Sequence, residues 1–90
     1  MVKHFKIQIT GRVQGVWYRG SMQNKARELN ITGFVRNEPD GSVYAEVEGE
    51  ELILHQLIDW CKIGPELAAV KNVEFHEGEI IEYKSFNILR

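Results

Sequence analysis

Ninety residues with 11 Lys+Arg against 13 Asp+Glu, a net charge of −2 and 43% hydrophobic content describe one small domain, expected over residues 1–90, with a single core. That balance excludes a disordered chain, and its sign is wrong for a protein whose main task is to hold nucleic-acid backbone. The lone cysteine, Cys61, cannot form an internal disulfide, the apolar runs are too short for a membrane span, and residues 1–6 lack the apolar stretch of a secretory signal. The expectation is a monomeric cytoplasmic protein that engages neither nucleic acid nor membrane.

Phe5, Ile7 and Ile9 alternate with Lys6, Gln8 and Thr10, the period of a half-buried strand. Residues 11–20, Gly-Arg-Val-Gln-Gly-Val-Trp-Tyr-Arg-Gly, are too glycine-rich for a regular element and read as a loop. From Ser21, the expected N-cap, the residues Met22, Ala26 and Leu29 form one helical stripe that Asn30 to Gly33 ends. Residues 34–37 read as a second strand. Pro39-Asp40-Gly41 is a turn, and Val43, Ala45 and Val47 alternate beyond it to close a hairpin. Leu54, Leu57, Ile58 and Cys61 share one face of a second helix, stopped by Gly64-Pro65. Val73 and Phe75 mark a fourth strand, Phe86 and Ile88 a short last one. The order is that of an α+β, ferredoxin-like sandwich (βαββαβ plus a short final strand), with two helices on one face of a mainly antiparallel sheet. A right-handed crossover makes the first two strands parallel, so Arg19 and Asn37 should meet at one rim.

The loop has the parts of an anion cradle. Gly11 and Gly15 permit a tight turn with exposed N–H groups, a helix N-terminus follows, and Arg19 offers a planar fork of donors suited to phosphate oxygens. A second reading stands beside it: the glycines only shape a turn, and Arg19 pairs with a nearby carboxylate. No Walker A pattern is present.

Two segments carry a resemblance. Ile9-Thr10-Gly11-Arg12-Val13-Gln14-Gly15-Val16-Trp17-Tyr18-Arg19 closely resembles the first signature of the acylphosphatase family. Gly33-Phe34-Val35-Arg36-Asn37-Glu38-Pro39-Asp40-Gly41-Ser42-Val43, followed by Gly49, resembles the second. Further similarity appears at Gly64-Pro65, Ala68, Val70, Val73 and Phe86-Asn87-Ile88. Tyr18 departs from the pattern, which most often has Phe. The resemblance implies hydrolysis of the carboxyl–phosphate bond of acyl phosphates without a metal or cofactor, inorganic phosphate being a product. It also implies that Arg19 and the backbone around Gln14, Gly15, Val16, Trp17 and Tyr18 bind the phosphoryl group, and that Asn37 holds the attacking water.

The residue inventory suits that chemistry. Phosphoryl transfer needs positioning and charge stabilisation more than covalent help. An Asn side chain orients water but takes up no proton at neutral pH. An alkyl phosphate, whose alkoxide leaving group needs an acid, would be a poor substrate, whereas a carboxylate leaves without one.

Other candidates point elsewhere. Cys61 lacks the C-x5-R pattern of a thiol phosphatase and sits on an apolar helix stripe, as a buried structural thiol would. His4, His55 and His76 have no metal-ligand spacing and read as surface histidines of strands and helices. His76-Glu77-Gly78-Glu79, with Glu82, reads as an acidic loop keeping an edge soluble. Trp60 reads as packing; Trp17 either walls the site or anchors the loop, the anchor being the favoured reading; Lys3, Lys6, Arg12 and Arg36 could add a positive field at the rim. Two rival functions stand beside this one: a non-catalytic anion-binding regulatory module, which would keep the cradle but not need a water-positioning Asn37, and a single-stranded RNA-binding domain, whose class shares this element order. The latter wants stacked aromatics and a basic motif that the sequence lacks.

Overall fold

The computed structural model describes residues 1–89. Seven elements follow in the order β1 (Val2–Arg12), α1 (Tyr18–Glu28), β2 (Thr32–Asn37), β3 (Val43–Glu50), α2 (Glu51–Cys61), β4 (Ala69–Gly78) and β5 (Phe86–Ile88). The sheet runs β4-β1-β3-β2-β5, antiparallel throughout except for the parallel β2–β5 pair. Because β1 and β2 both pair antiparallel with β3, they are parallel to each other and finish at the same rim.

Alternation decides which face is core. Phe5, Ile7 and Ile9 of β1 and Val43, Ala45 and Val47 of β3 point to one side and are buried with Tyr18, Met22 and Ala26 of α1 and Leu54, Leu57, Ile58 and Cys61 of α2. Eighteen hydrophobic residues form this one cluster, and at about 1.5–3 kcal/mol for each large side chain it is the main favourable contribution to folding.

Three local expectations are corrected. β1 continues through Arg12, with a bulge between Thr10 and Gly11, because β4 offers a pairing partner that the local sequence does not announce. The loop is therefore shorter than residues 11–20. Ser21 is not the N-cap of α1: its N–H already donates to the Trp17 carbonyl (3.1 Å), and the cap is Trp17 itself, in the left-handed region at φ 68° with no side-chain capping bond. His76 to Gly78 belong to β4 and not to a loop, since they pair with His4, Phe5 and Lys6 on β1. The C-terminus of α1 follows the sequence: Asn30 takes φ 59° and the Ile31 N–H returns to the Ala26 carbonyl at 2.8 Å, a left-handed stop that Asn tolerates.

Residues 79–85 carry the chain from one edge of the sheet to the other and cover the end of its helix-free face. There Glu48 accepts the N–H groups of Ile81, Glu82 and Tyr83. His4 lies beneath, 1% exposed, with Nδ1 2.7 Å from Glu48 and Nε2 2.8 Å from Glu46. The surface position expected for His4 is overturned by this crossover, which has no hydrophobic period to reveal it. His55 is half-buried against Phe5 and Phe75, and His76 is exposed.

Candidate active site

The site lies at the rim where β1 and β2 end. Residues 13–17 leave the end of β1 and enter α1 through two left-handed residues, Gly15 (φ 74°) and Trp17 (φ 68°). Glycine suits the first of these because it has no Cβ to strain the turn. This curl and the first turn of α1 leave a run of free donors: the N–H groups of Gly15, Val16, Trp17, Tyr18, Arg19 and Gly20 make no backbone hydrogen bond among the described residues. Such a nest at a helix N-terminus concentrates positive potential where an anion can sit.

Arg19 belongs to the first turn of α1 and not to the loop. It enters no ion pair among the described residues, so the alternative reading, a structural pairing with a nearby carboxylate, does not hold. The other basic residues are differently placed. Arg36 is spent on Glu38 (3.0 Å) and stacks over Phe34 and Tyr44 on the helix-free face of the sheet. Lys3 pairs with Glu77.

Asn37 ends β2, directly opposite Val43. The turn that follows is tightly fixed. The Glu38 N–H donates to the Ser42 carbonyl (2.8 Å), and the Asp40 carboxylate accepts both the backbone N–H and the hydroxyl of Ser42. Those two bonds, the hydroxyl first, hold the Asp40 carboxyl below its ordinary value. Gln14 then ties the loop to this turn, its Nε2 donating to the carbonyls of Glu38 (2.8 Å) and Ser42 (2.9 Å). Loop and turn are thereby one body, and the separation between Arg19 and Asn37 is set before any ligand arrives.

A cleft of about 650 Å³ opens between them, and both Arg19 and Asn37 line it. Gly15, Val16, Trp17 and Tyr18 also line this cleft, whereas Gln14 lies outside it, with its side chain turned to the hairpin. The Oδ1 of Asn37 is, among the described residues, the one buried side-chain polar atom without a hydrogen-bond partner. Since buried acceptors are almost always satisfied, an orphan at the wall of a cleft marks a place kept for a donor from outside the chain.

Two aromatic residues of the loop have opposite fates. Tyr18 is buried, packs on Trp60 and donates its hydroxyl to the Cys61 carbonyl at 2.7 Å; burial pushes its phenol well above the ordinary range. Its hydroxyl therefore serves as a structural tie between the starts of α1 and the end of α2. Trp17 is 72% exposed and lines the cleft, which favours the walling reading over the loop anchor. A left-handed backbone turns its side chain outward, a conformation no sequence pattern announces. Cys61 is fully buried, and burial pushes its thiol up to about 12, so it stays protonated and inert. Among the described residues no group of three His, Cys, Asp or Glu is placed to hold a metal ion.

Comparison with known proteins agrees with this arrangement. The family model described as Acylphosphatase matches residues 5–88. The chain is 48% identical over 85 residues to an acylphosphatase of Thiobacillus denitrificans, covering 94% of each chain. Its fold superposes with a TM-score of 0.95 on the acylphosphatase of Coxiella burnetii, at 35% identity over 98% of this chain and 93% of that one. It does so equally on that of Bacillus subtilis, at 30% identity with full coverage of both. A chain with this fold, this loop and this rim belongs to the acylphosphatase family.

Proposed function

We propose that this chain, acting as a single catalytic domain, hydrolyses the carboxyl–phosphate anhydride bond of acyl phosphates, giving a carboxylate and inorganic phosphate. The observation that carries the residue assignment is the buried Oδ1 of Asn37, which has no partner among the described residues, in a cleft shared with Arg19. The phosphoryl oxygens accept hydrogen bonds from Arg19 and from the N–H groups of residues 15–19, with Gln14 holding that loop in place. This neutralises charge that is already present in the substrate and redistributed in the transition state. Asn37 Oδ1 accepts a hydrogen bond from a water molecule and directs its lone pair at phosphorus. The water oxygen bonds to phosphorus as the bond to the acyl oxygen breaks. The carboxylate departs with the electron pair, and the water's proton passes to a phosphoryl oxygen.

No acid is required of the protein, because the leaving group is the conjugate base of an acid with a pKa of about 4. Among the described residues the cleft offers none: Arg19 is the one charged side chain of its lining. A monomeric, cytoplasmic protein that binds neither nucleic acid nor membrane fits the net charge of −2, the unpaired buried cysteine and the absence, among the described residues, of a helix long and apolar enough to cross a membrane.

The test is hydrolysis of benzoyl phosphate by the purified chain in excess EDTA. Turnover well above the uncatalysed rate is expected; a rate equal to the buffer blank would overturn the proposal.

A further inference from the structure

The cleft is larger than a phosphoryl group needs; about 650 Å³ lies within the range of sites that hold a whole small molecule. Its lining is mixed: Arg19 and Asn37 share it with the apolar side chains of Trp17, Leu67 and Ile88, and among the described residues no carboxylate lines it. Trp17 and Leu67 are 72% and 71% exposed, so two large apolar side chains of the lining of a polar cleft face water.

Trp17 also adopts a backbone conformation that a bulky residue rarely takes, φ 68° and ψ 27°, and strain of this kind concentrates at functional sites. The indole is seated rather than loose. It lies over Gly20, where a Cβ would come within 2.7 Å of the ring, so only glycine lets the ring rest on the first turn of α1. Leu67 is brought up from the α2–β4 connection, whose Ala68 N–H closes a turn on the Pro65 carbonyl (3.0 Å). The Tyr18 hydroxyl on the Cys61 carbonyl holds the end of α2 against the same helix start.

We propose that Trp17, Leu67 and Ile88 form the acyl subsite of this cleft, and that the chain prefers acyl phosphates whose acyl group is an uncharged apolar chain or ring. This rests on the hydrolase reading above. With the phosphoryl group in the cradle, the substituent on the carboxyl carbon reaches the apolar side chains that share the lining. Burying that substituent removes apolar surface of both ligand and protein from water. The same contacts persist from ground state to transition state, so they act through KM and kcat/KM and leave kcat nearly unchanged.

The test is an aliphatic series, acetyl, butyryl and hexanoyl phosphate, whose carboxylates are nearly equal as leaving groups, so that chain length varies apolar surface alone. On the unaltered protein, kcat/KM is expected to rise about twofold per methylene, roughly half the value for full burial. Leu67→Ser, at an exposed position outside the cradle, should flatten that rise. Trp17→Ala should flatten it further. A flat series on the unaltered protein, or an undiminished slope in both variants, would overturn the acyl subsite and leave the hydrolase reading intact. Failure to hydrolyse even acetyl phosphate would overturn both.

Discussion

Two clusters of polar groups sit on this sheet, and they are built on opposite logic. On the helix-free face, His4, Glu46 and Glu48 are closed among themselves: both ring nitrogens face carboxylate oxygens, Glu48 takes three N–H groups of the crossover, and Tyr44 and Tyr83 reach Glu46. At the rim, the donors of residues 15–20, the Arg19 guanidinium and Asn37 Oδ1 find no partner among the described residues. Burial, charge and proximity would make the His4 cluster the more conspicuous candidate for chemistry. Saturation tells them apart, since a network with every valence met holds structure, while one left open is kept for a ligand.

The largest effect should come from the open cluster. Asn37→Ala is expected to lower kcat on benzoyl phosphate about 10³-fold, in the range for loss of one preorganised polar group. Inorganic phosphate should still bind, as followed by its phosphorus NMR shift. Arg19→Ala should lose both turnover and phosphate binding, because it removes the charge-assisted donor. A variant of Asn37 with near-normal kcat would place the water elsewhere.

The closed cluster should respond in stability and not in turnover. Glu48→Ala leaves the crossover N–H groups and His4 without their acceptor and should cost about 3 kcal/mol in urea unfolding. Its pH dependence has a definite sign. Burial raises the Glu48 carboxyl, but the N–H of Ile81, then His4 and the N–H groups of Tyr83 and Glu82, hold it below its ordinary 4.5. Glu46 is also lowered: burial raises it, and bonds from Tyr44 and His4 outweigh that effect. Carboxyls depressed in the native state contribute stability that is complete above 4.5 and is lost as the pH falls through their lower native values. Melting temperatures recorded across that acid range should fall steeply for the parent and less steeply for Glu48→Gln. Equal slopes would remove Glu48 from this account.

Smaller effects lie at the joints between cradle and scaffold. Gln14→Ala cuts both bonds from the loop to the Asn37 hairpin; a loss of about 1–2 kcal/mol and a roughly tenfold drop in kcat are expected, with phosphate affinity less affected. If kcat and phosphate affinity fell together, Gln14 would be shaping the anion site itself. Tyr18→Phe should cost about 1 kcal/mol of stability by withdrawing the hydroxyl from the Cys61 carbonyl, measured by thermal unfolding.

Much of this was legible in the residues. The apolar stripes of both helices and the alternation in β1 and β3 place the core, and the crossover rule puts Arg19 and Asn37 at one rim. What the sequence hid has a common cause. The burial of His4 depends on residues 79–85, whose path is set by where β4 and β5 pair and not by any local period. The start of α1 depends on a left-handed Trp17, a backbone event with no side-chain signature, so the more usual capping residue, Ser21, drew the expectation. Gln14 carries its role through a side chain aimed at two carbonyls 24 and 28 positions away, a distance over which spacing is silent.

The exposed indole of Trp17 has a practical consequence. With Trp60 half-buried against Tyr18, the two tryptophans divide the molecule's fluorescence between a solvated fluorophore at the mouth of the cleft and a sheltered one behind it. Inorganic phosphate, seated in the cradle, should leave the red-edge emission nearly in place, whereas a phosphonate bearing an alkyl tail should shift it to the blue. The molecule thus carries its own optical readout, able to distinguish which half of a substrate has arrived.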